Sequence, residues 1–159
     1  MMLKQCCDEL ERRQLTIAFI ESASSGYLCS QFSIHKHSGA DILLGSLVCY
    51  DPSIKVQVLH ICPELIERYS AESAEVTHAL AEAGAKFFVA ADVIVACTGL
   101  LKPGGSATAE KPEGTFYIGM LFRETYYDFH YLITGTPEQR LQILTEYVAT
   151  SVYELITQH

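Results

Sequence analysis

Ser22, Tyr50 and Lys55 are the residues of this chain best suited to proton chemistry, and each stands close behind an apolar run. A serine hydroxyl is a poor nucleophile until a base takes its proton. A lysine can be that base once burial or neighbouring positive charge draws its pKa toward neutrality. A tyrosine beside them could relay a proton or only orient the amine. Ser22 lies in the turn Glu21-Ser-Ala-Ser-Ser-Gly26, between an apolar run and a helix, so its hydroxyl would sit at the helix N-terminus. Taken alone, a serine in such a turn is more often a helix cap than a nucleophile. An isolated Tyr or Lys is more often packed or solvated. Hydrolytic chemistry requires the Ser22 hydroxyl and the Lys55 amine to meet in one cleft.

A third segment, residues 98–115, contains Lys102-Pro-Gly-Gly-Ser-Ala-Thr-Ala-Glu-Lys-Pro-Glu-Gly-Thr115. Its glycines and hydroxyls would let the backbone approach an anion or a polar substrate closely. It does not fit the GxxxxGK[ST] phosphate loop, and its length is its main claim to a role. His35 and His37 could share a metal, but no further ligand accompanies them at a suitable spacing. His60, His78 and His130 fall singly in predicted elements. No metal and no cofactor is expected.

The elements that must position these residues are legible from periodicity. Residues 2–13 carry apolar positions among charges at helical spacing. Residues 15–20 (LTIAFI) and 93–97 (VIVAC) are short, apolar and β-branched, as strands buried on both faces are. A helix follows over 27–33, then a polar bend over 35–40 and a strand over 42–50. Asp51-Pro52 caps a short helix over 52–59, and Pro63 starts another. Residues 74–89 form the clearest long helix, with Ser73 as N-cap and Val76, Leu80 and Phe87 on its apolar side. Residues 115–122 and 125–133 make a hairpin about Arg123-Glu124. A closing amphipathic helix over 137–157 places Leu141, Leu144, Val148, Val152 and Leu155 at helical spacing. The expected architecture is α/β: a three-layer α/β/α sandwich with a mixed sheet, in one domain over 1–159. In such sheets ligands collect beyond the carboxyl ends of the strands, where all three candidate segments fall.

Composition narrows the function classes. The chain has 159 residues, 49% of them hydrophobic, which suffices for one core. A formal net charge of −8 with dispersed Lys and Arg argues against a nucleic-acid partner. The N-terminus has no secretory pattern and no segment is apolar for long enough to span a bilayer, so no membrane association and a cytoplasmic address are expected. The six cysteines, Cys6, Cys7, Cys29, Cys49, Cys62 and Cys97, form no CxxC pair and mostly sit in apolar stretches. They read as reduced core thiols. Self-association is common among soluble proteins, and a homo-oligomer is expected.

Taken together, the segments resemble the C-terminal domain family of the competence/damage-inducible protein CinA. That family's pattern is a strand followed by AESxTGG, a VxYxNxxK stretch, GAVS before a long helix, and TGxAGPxGGxxxKPVGT before a closing hairpin. Here Glu21, Ser22 and Gly26 match the first motif, Tyr50 and Lys55 the second, and Ser73 the third. Thr98, Gly99, Pro103, Gly104, Gly105, Ser106, Lys111, Pro112, Gly114 and Thr115 fall on the fourth. Four motifs in one order, over essentially the whole chain, make the resemblance specific.

The resemblance implies hydrolysis of the carboxamide of nicotinamide mononucleotide to the acid, with release of ammonia and recycling of pyridine nucleotide. It implies Ser22 as nucleophile, Lys55 as base and Tyr50 as an aid to proton transfer. Glu21, Ser24, Ser25, Gly26, Ser73, Thr98, Gly99, Gly104, Gly105, Ser106 and Thr115 would surround the small-molecule nucleotide. The chain also departs from the pattern. Ser24-Ser25 replace Thr-Gly, Glu72 replaces the Val of GAVS, Leu101-Lys102 replace Ala-Gly, and the glycine loop is one residue longer. Gly135-Thr136-Pro137 stands where the family often has Gly-Asp-Arg, and Arg140, one helix turn on, is the residue that could compensate. A divergent member that binds a nucleotide or a protein without turnover is the alternative. A pyrophosphatase, associated in longer members with a separate N-terminal domain, has no room in this sequence.

Overall fold

The computed structural model describes residues 1–159. Five strands, β1 (Ile17–Glu21), β2 (Leu43–Val48), β3 (Val93–Gly99), β4 (Thr115–Phe122) and β5 (Thr125–Leu132), form one sheet in the order β2-β1-β3-β4-β5. The first three are parallel, and β4 and β5 run antiparallel to β3 and to each other. Parallel strands need long crossovers, and helices supply them. Helices α1 (Met2–Arg13), α2 (Tyr27–His35) and α6 (Pro137–Gln158) cover one face, while α3 (Pro52–Gln57), α4 (Pro63–Tyr69) and α5 (Ala74–Phe87) belong to the other. The result is the expected mixed-sheet α/β/α sandwich.

The alternation of side chains along each strand sorts the core into two layers. In β1, Ile17 and Phe19 join the larger cluster with Leu10, Phe32, Phe116 and Val148. Ala18 and Ile20 join the smaller one with Val76, Leu80, Ile94 and Ala96. Both β1 and β3 are buried along their whole length, as their apolar runs require. The α5 backbone lies so close to the sheet that a Cβ at Gly84 would come within 2.6 Å of Ile20 Cγ1.

Three details differ from the sequence expectation. β1 begins at Ile17 rather than at residue 15, because Leu15 still donates back to the carbonyl of Leu10 as α1 closes. Phe87, expected on the buried side of α5, is 55% exposed; it is the last helical residue, and the next one, Phe88, is the phenylalanine that packs against the smaller core cluster. Cys62 is exposed at the start of α4, whereas Cys6, Cys7, Cys49 and Cys97 are buried and Cys29 is intermediate; all six thiols are free. The hairpin turn is the two-residue one expected, and both Arg123 and Glu124 have positive φ, 51° and 67°. That geometry matches the twist of the paired strands and is here imposed on two residues that do not favour it. No helix is long and apolar enough to cross a membrane.

Candidate active site

The carboxyl ends of β1, β2 and β3 lie side by side, and the chain leaves each of them into one cleft. Ser22 follows β1 directly, its N–H bonded to Cys97 O of β3 at 3.0 Å, so the neighbouring strand fixes where the hydroxyl begins. Cys49 N–H bonds Glu21 O at 2.8 Å and extends the β1–β2 pairing by one residue. The Asp51 carboxylate then accepts from Ser53 N–H at 3.0 Å and starts α3. One turn later, Lys55 points back under the strand ends.

Lys55 Nζ lies 2.9 Å from Ser22 Oγ, 2.6 Å from Cys49 O and 3.5 Å from Tyr50 O. The side chain is fully buried and no carboxylate lies within ion-pairing distance of it. Burial holds its pKa below the ordinary lysine value, although the charges of Cys49, Glu72 and Asp51 act the other way. A neutral amine has two N–H donors and one lone pair, and this pocket offers carbonyls for the donors and a hydroxyl for the lone pair. The amine can therefore take the Ser22 proton without losing its partners.

Above this pair opens a cleft of about 180 Å³, lined by Ser22, Ala23, Tyr50, Glu72 and the stretch 99–105. Tyr50 is 55% exposed at its mouth. Ala23 N–H, next to the candidate nucleophile, is taken by no backbone carbonyl, and Ala23 lines the cleft. Gly104 and Gly105 have positive φ, 99° and 61°, which lets the loop curve over the cleft.

The remaining expected site residues divide into those at the cleft and those that build it. Gly99, Gly104 and Gly105 line the cleft. Glu21 is buried beneath it, and its carboxylate accepts from Leu28 N–H, Cys29 N–H and Ser46 Oγ at 2.9, 3.1 and 2.8 Å. It thereby anchors the start of α2. Ser24 is buried near the Cys97 thiol with its hydroxyl otherwise unpaired. Ser25 has φ 51° and Gly26 φ 94°, so they shape the turn into α2, and neither is among the cleft-lining residues. Ser73 caps α5, accepting from Val76 N–H at 3.2 Å and donating to Ser70 O at 2.9 Å. The Thr98 hydroxyl meets that of Thr77 at 2.8 Å, and Thr115 donates to Pro112 O at 2.7 Å.

Arg140 is 8% exposed and spends its guanidinium on Ile133 O at 3.0 Å, Leu101 O at 2.9 Å and Glu113 at 2.6 Å. It braces both ends of the glycine loop and presents no free fork to a ligand. The sequence placed Lys111 only by motif, and Glu72 only as a departure from one. In the fold, Lys111 Nζ reaches across to Ser70 Oγ at 2.6 Å and Glu72 O at 2.8 Å, while Ser106 donates to Glu72 Oε2 at 2.6 Å. These contacts latch the loop to the turn before α5. Nothing local in the sequence signals them, because the partners are 34 to 41 residues apart.

His37 gathers with Asp8 and Glu11 at the surface, without His35. Lys4 Nζ lies 2.8 Å from His37 Nε2 and also bonds Asp8, so an amine already occupies that cluster.

The family model described as the CinA C-terminal domain matches residues 1–158. A CinA-like protein of Dictyoglomus thermophilum is 34% identical over 116 residues, 73% of this chain and 28% of that protein. A CinA-like protein of Mycobacterium avium is 40% identical over 111 residues, 68% of this chain and 25% of that protein. The chain thus spans about a quarter of the length of these curated relatives. Among solved structures, a competence-damaged protein (CinA) superfamily protein of Klebsiella pneumoniae superposes with a TM-score of 0.90 at 19% identity, covering 99% of this chain and 97% of that one. One from Escherichia coli gives 0.86 at 23% identity, covering 97% and 88%. At such identities the likeness is one of fold.

Proposed function

We propose that this chain, which belongs to the CinA C-terminal domain family, hydrolyses the carboxamide of nicotinamide mononucleotide or a close relative to the acid and ammonia. The observation that carries this reading is the 2.9 Å contact between a fully buried Lys55 amine and Ser22 Oγ at the floor of an open cleft.

The chemistry runs in two halves. Lys55 Nζ takes the Ser22 hydroxyl proton as Oγ bonds to the amide carbon, and the carbonyl oxygen becomes an oxyanion that Ala23 N–H can hold. Lys55 then gives its proton to the amide nitrogen, the C–N bond breaks and ammonia leaves an ester on Ser22. Water attacks that ester, giving its proton to Lys55. Collapse returns the proton to Ser22 Oγ and frees the carboxylic acid. Tyr50 lines the cleft at its mouth, and this reading gives it the role of assisting transfer to the leaving nitrogen. The setting expected is a cytoplasmic homo-oligomer acting on a small nucleotide in pyridine nucleotide recycling.

The alternative reading, a module that binds without turnover, is favoured by one observation: Nε and Nη1 of Arg140 are spent on Ile133 O, Leu101 O and Glu113, which leaves no free two-nitrogen fork for a phosphate. Ammonia release from nicotinamide mononucleotide by the wild type, Ser22→Ala and Lys55→Ala decides between them. Activity in the wild type that both variants lose, with melting curves intact, supports hydrolysis. Activity that survives Ser22→Ala removes the nucleophile, and a wild type that binds without releasing ammonia leaves the binding module.

A further inference from the structure

Glu72 lines the cleft together with Ser22, and it is the one acidic side chain that does so. Its position is held from three sides. Ser106 donates to Oε2 at 2.6 Å, Lys111 Nζ donates to its backbone carbonyl at 2.8 Å, and the next residue, Ser73, caps α5. The second carboxylate oxygen accepts no hydrogen bond, and no Lys, Arg or His lies within ion-pairing distance. Lys111, the nearest candidate, bonds the carbonyl instead of the carboxylate. The carboxylate is therefore held at the cleft wall by a single hydroxyl and is paired with no cation. It is close enough to act on Lys55. The only cation among the residues lining the same space is the exposed Lys102.

We propose that Glu72 is a specificity-determining residue that makes this cleft favour aromatic amides whose ring carries a positive charge over neutral ones. The assignment of the amide group rests on the hydrolase reading. In an N1-substituted nicotinamide the cationic nitrogen is two bonds from the ring carbon that bears the carboxamide. An amide carbon held at Ser22 Oγ thus brings the ring cation into the space that Glu72 faces. A cation entering a partly dehydrated cleft gains from a fixed carboxylate there, whereas a neutral ring only displaces that carboxylate's water.

The test compares binding of 1-methylnicotinamide, a cation, with binding of nicotinamide, its neutral counterpart. Both are titrated into Ser22→Ala protein, which cannot turn them over, with position 72 as Glu or as Gln. Gln keeps an acceptor for Ser106 and removes only the charge. The cation should bind more tightly than the neutral amide, and Glu72→Gln should lower the ratio of the two affinities by about tenfold. The ratio with Glu72 intact should also fall as ionic strength rises, a measurement that does not depend on the variant folding. An unchanged ratio in Glu72→Gln, or a ratio indifferent to salt, overturns the inference. Ammonia release is scored separately. A shifted ratio without ammonia keeps charge selection and discards hydrolysis, whereas ammonia with an unshifted ratio does the reverse.

Discussion

Lys55 Nζ and Ser22 Oγ are 2.9 Å apart although 33 residues of chain separate them. Their meeting depends on parallel pairing of β1 with β2, which brings Glu21 opposite Val48 and so sets the turn after β2 beside the turn after β1. Asp51 then starts α3, and its first full turn carries the lysine back beneath the serine. A buried amine in this position is costly to keep charged, and that cost keeps it neutral, with its lone pair available to take a proton.

Lys55→Met separates function from stability. The substitution removes the base and should lower kcat for amide hydrolysis about 10³-fold. It relieves the desolvation of an amine but leaves Cys49 O and Tyr50 O without their donor. Those effects oppose one another, so the unfolding free energy from urea melts should change by less than about 2 kcal/mol. A large loss of stability would mean that the lysine serves mainly as a structural brace.

The pH dependence has a defined sign. The neutral form of Lys55 is the base, so activity should climb as pH rises and level off below the ordinary lysine pKa, because burial lowers that of Lys55. For stability, the unfolded chain keeps the lysine proton to higher pH than the folded one, so this group makes stability rise with pH between the two pKa values. Burial pushes the Cys7 thiol up to about 11 and that of Cys97 to about 12. Those thiols contribute stability that is complete below about pH 8.5 and lost as pH climbs through their folded values. Urea melts of the wild type should therefore weaken above about pH 8.5, more steeply in Lys55→Met, which lacks the compensating lysine contribution.

Arg140→Ala cuts the brace between α6, the carbonyls of Leu101 and Ile133, and Glu113. Stability should fall by about 2–3 kcal/mol, and residues 100–114 should become the first site of limited proteolysis. Arg140→Lys should recover only part of the loss, since one amine cannot reproduce the guanidinium fork. Proteolysis unchanged in both variants would show that the loop is held by the Glu72–Lys111 latch alone.

Glu21→Gln tests the support under the nucleophile. The carboxylate takes three donors, and a Gln side chain would turn an NH2 group toward at least one of them. Thermal unfolding should show a loss of about 2 kcal/mol. Because Ser22 is the next residue, kcat should fall more than KM rises. A rise in KM alone would instead place Glu21 against the substrate.

The sequence by itself determined the elements and their layering, because burial is written in local periodicity. The doubly buried runs of β1 and β3, the caps at Asp51 and Ser73, and the amphipathic face of α6 each follow from residues that are neighbours in the chain. It also nominated Ser22, Tyr50 and Lys55, since their types and the turns that hold them are local. What only the tertiary structure decided is which polar groups stay free. Arg140, Glu21 and Ser73 looked available and are consumed by carbonyls, amides and caps, while Glu72 looked incidental and holds an unpaired charge in the cleft. Hydrogen-bond partners tens of residues apart are chosen by strand register and helix packing, and no local pattern records that choice.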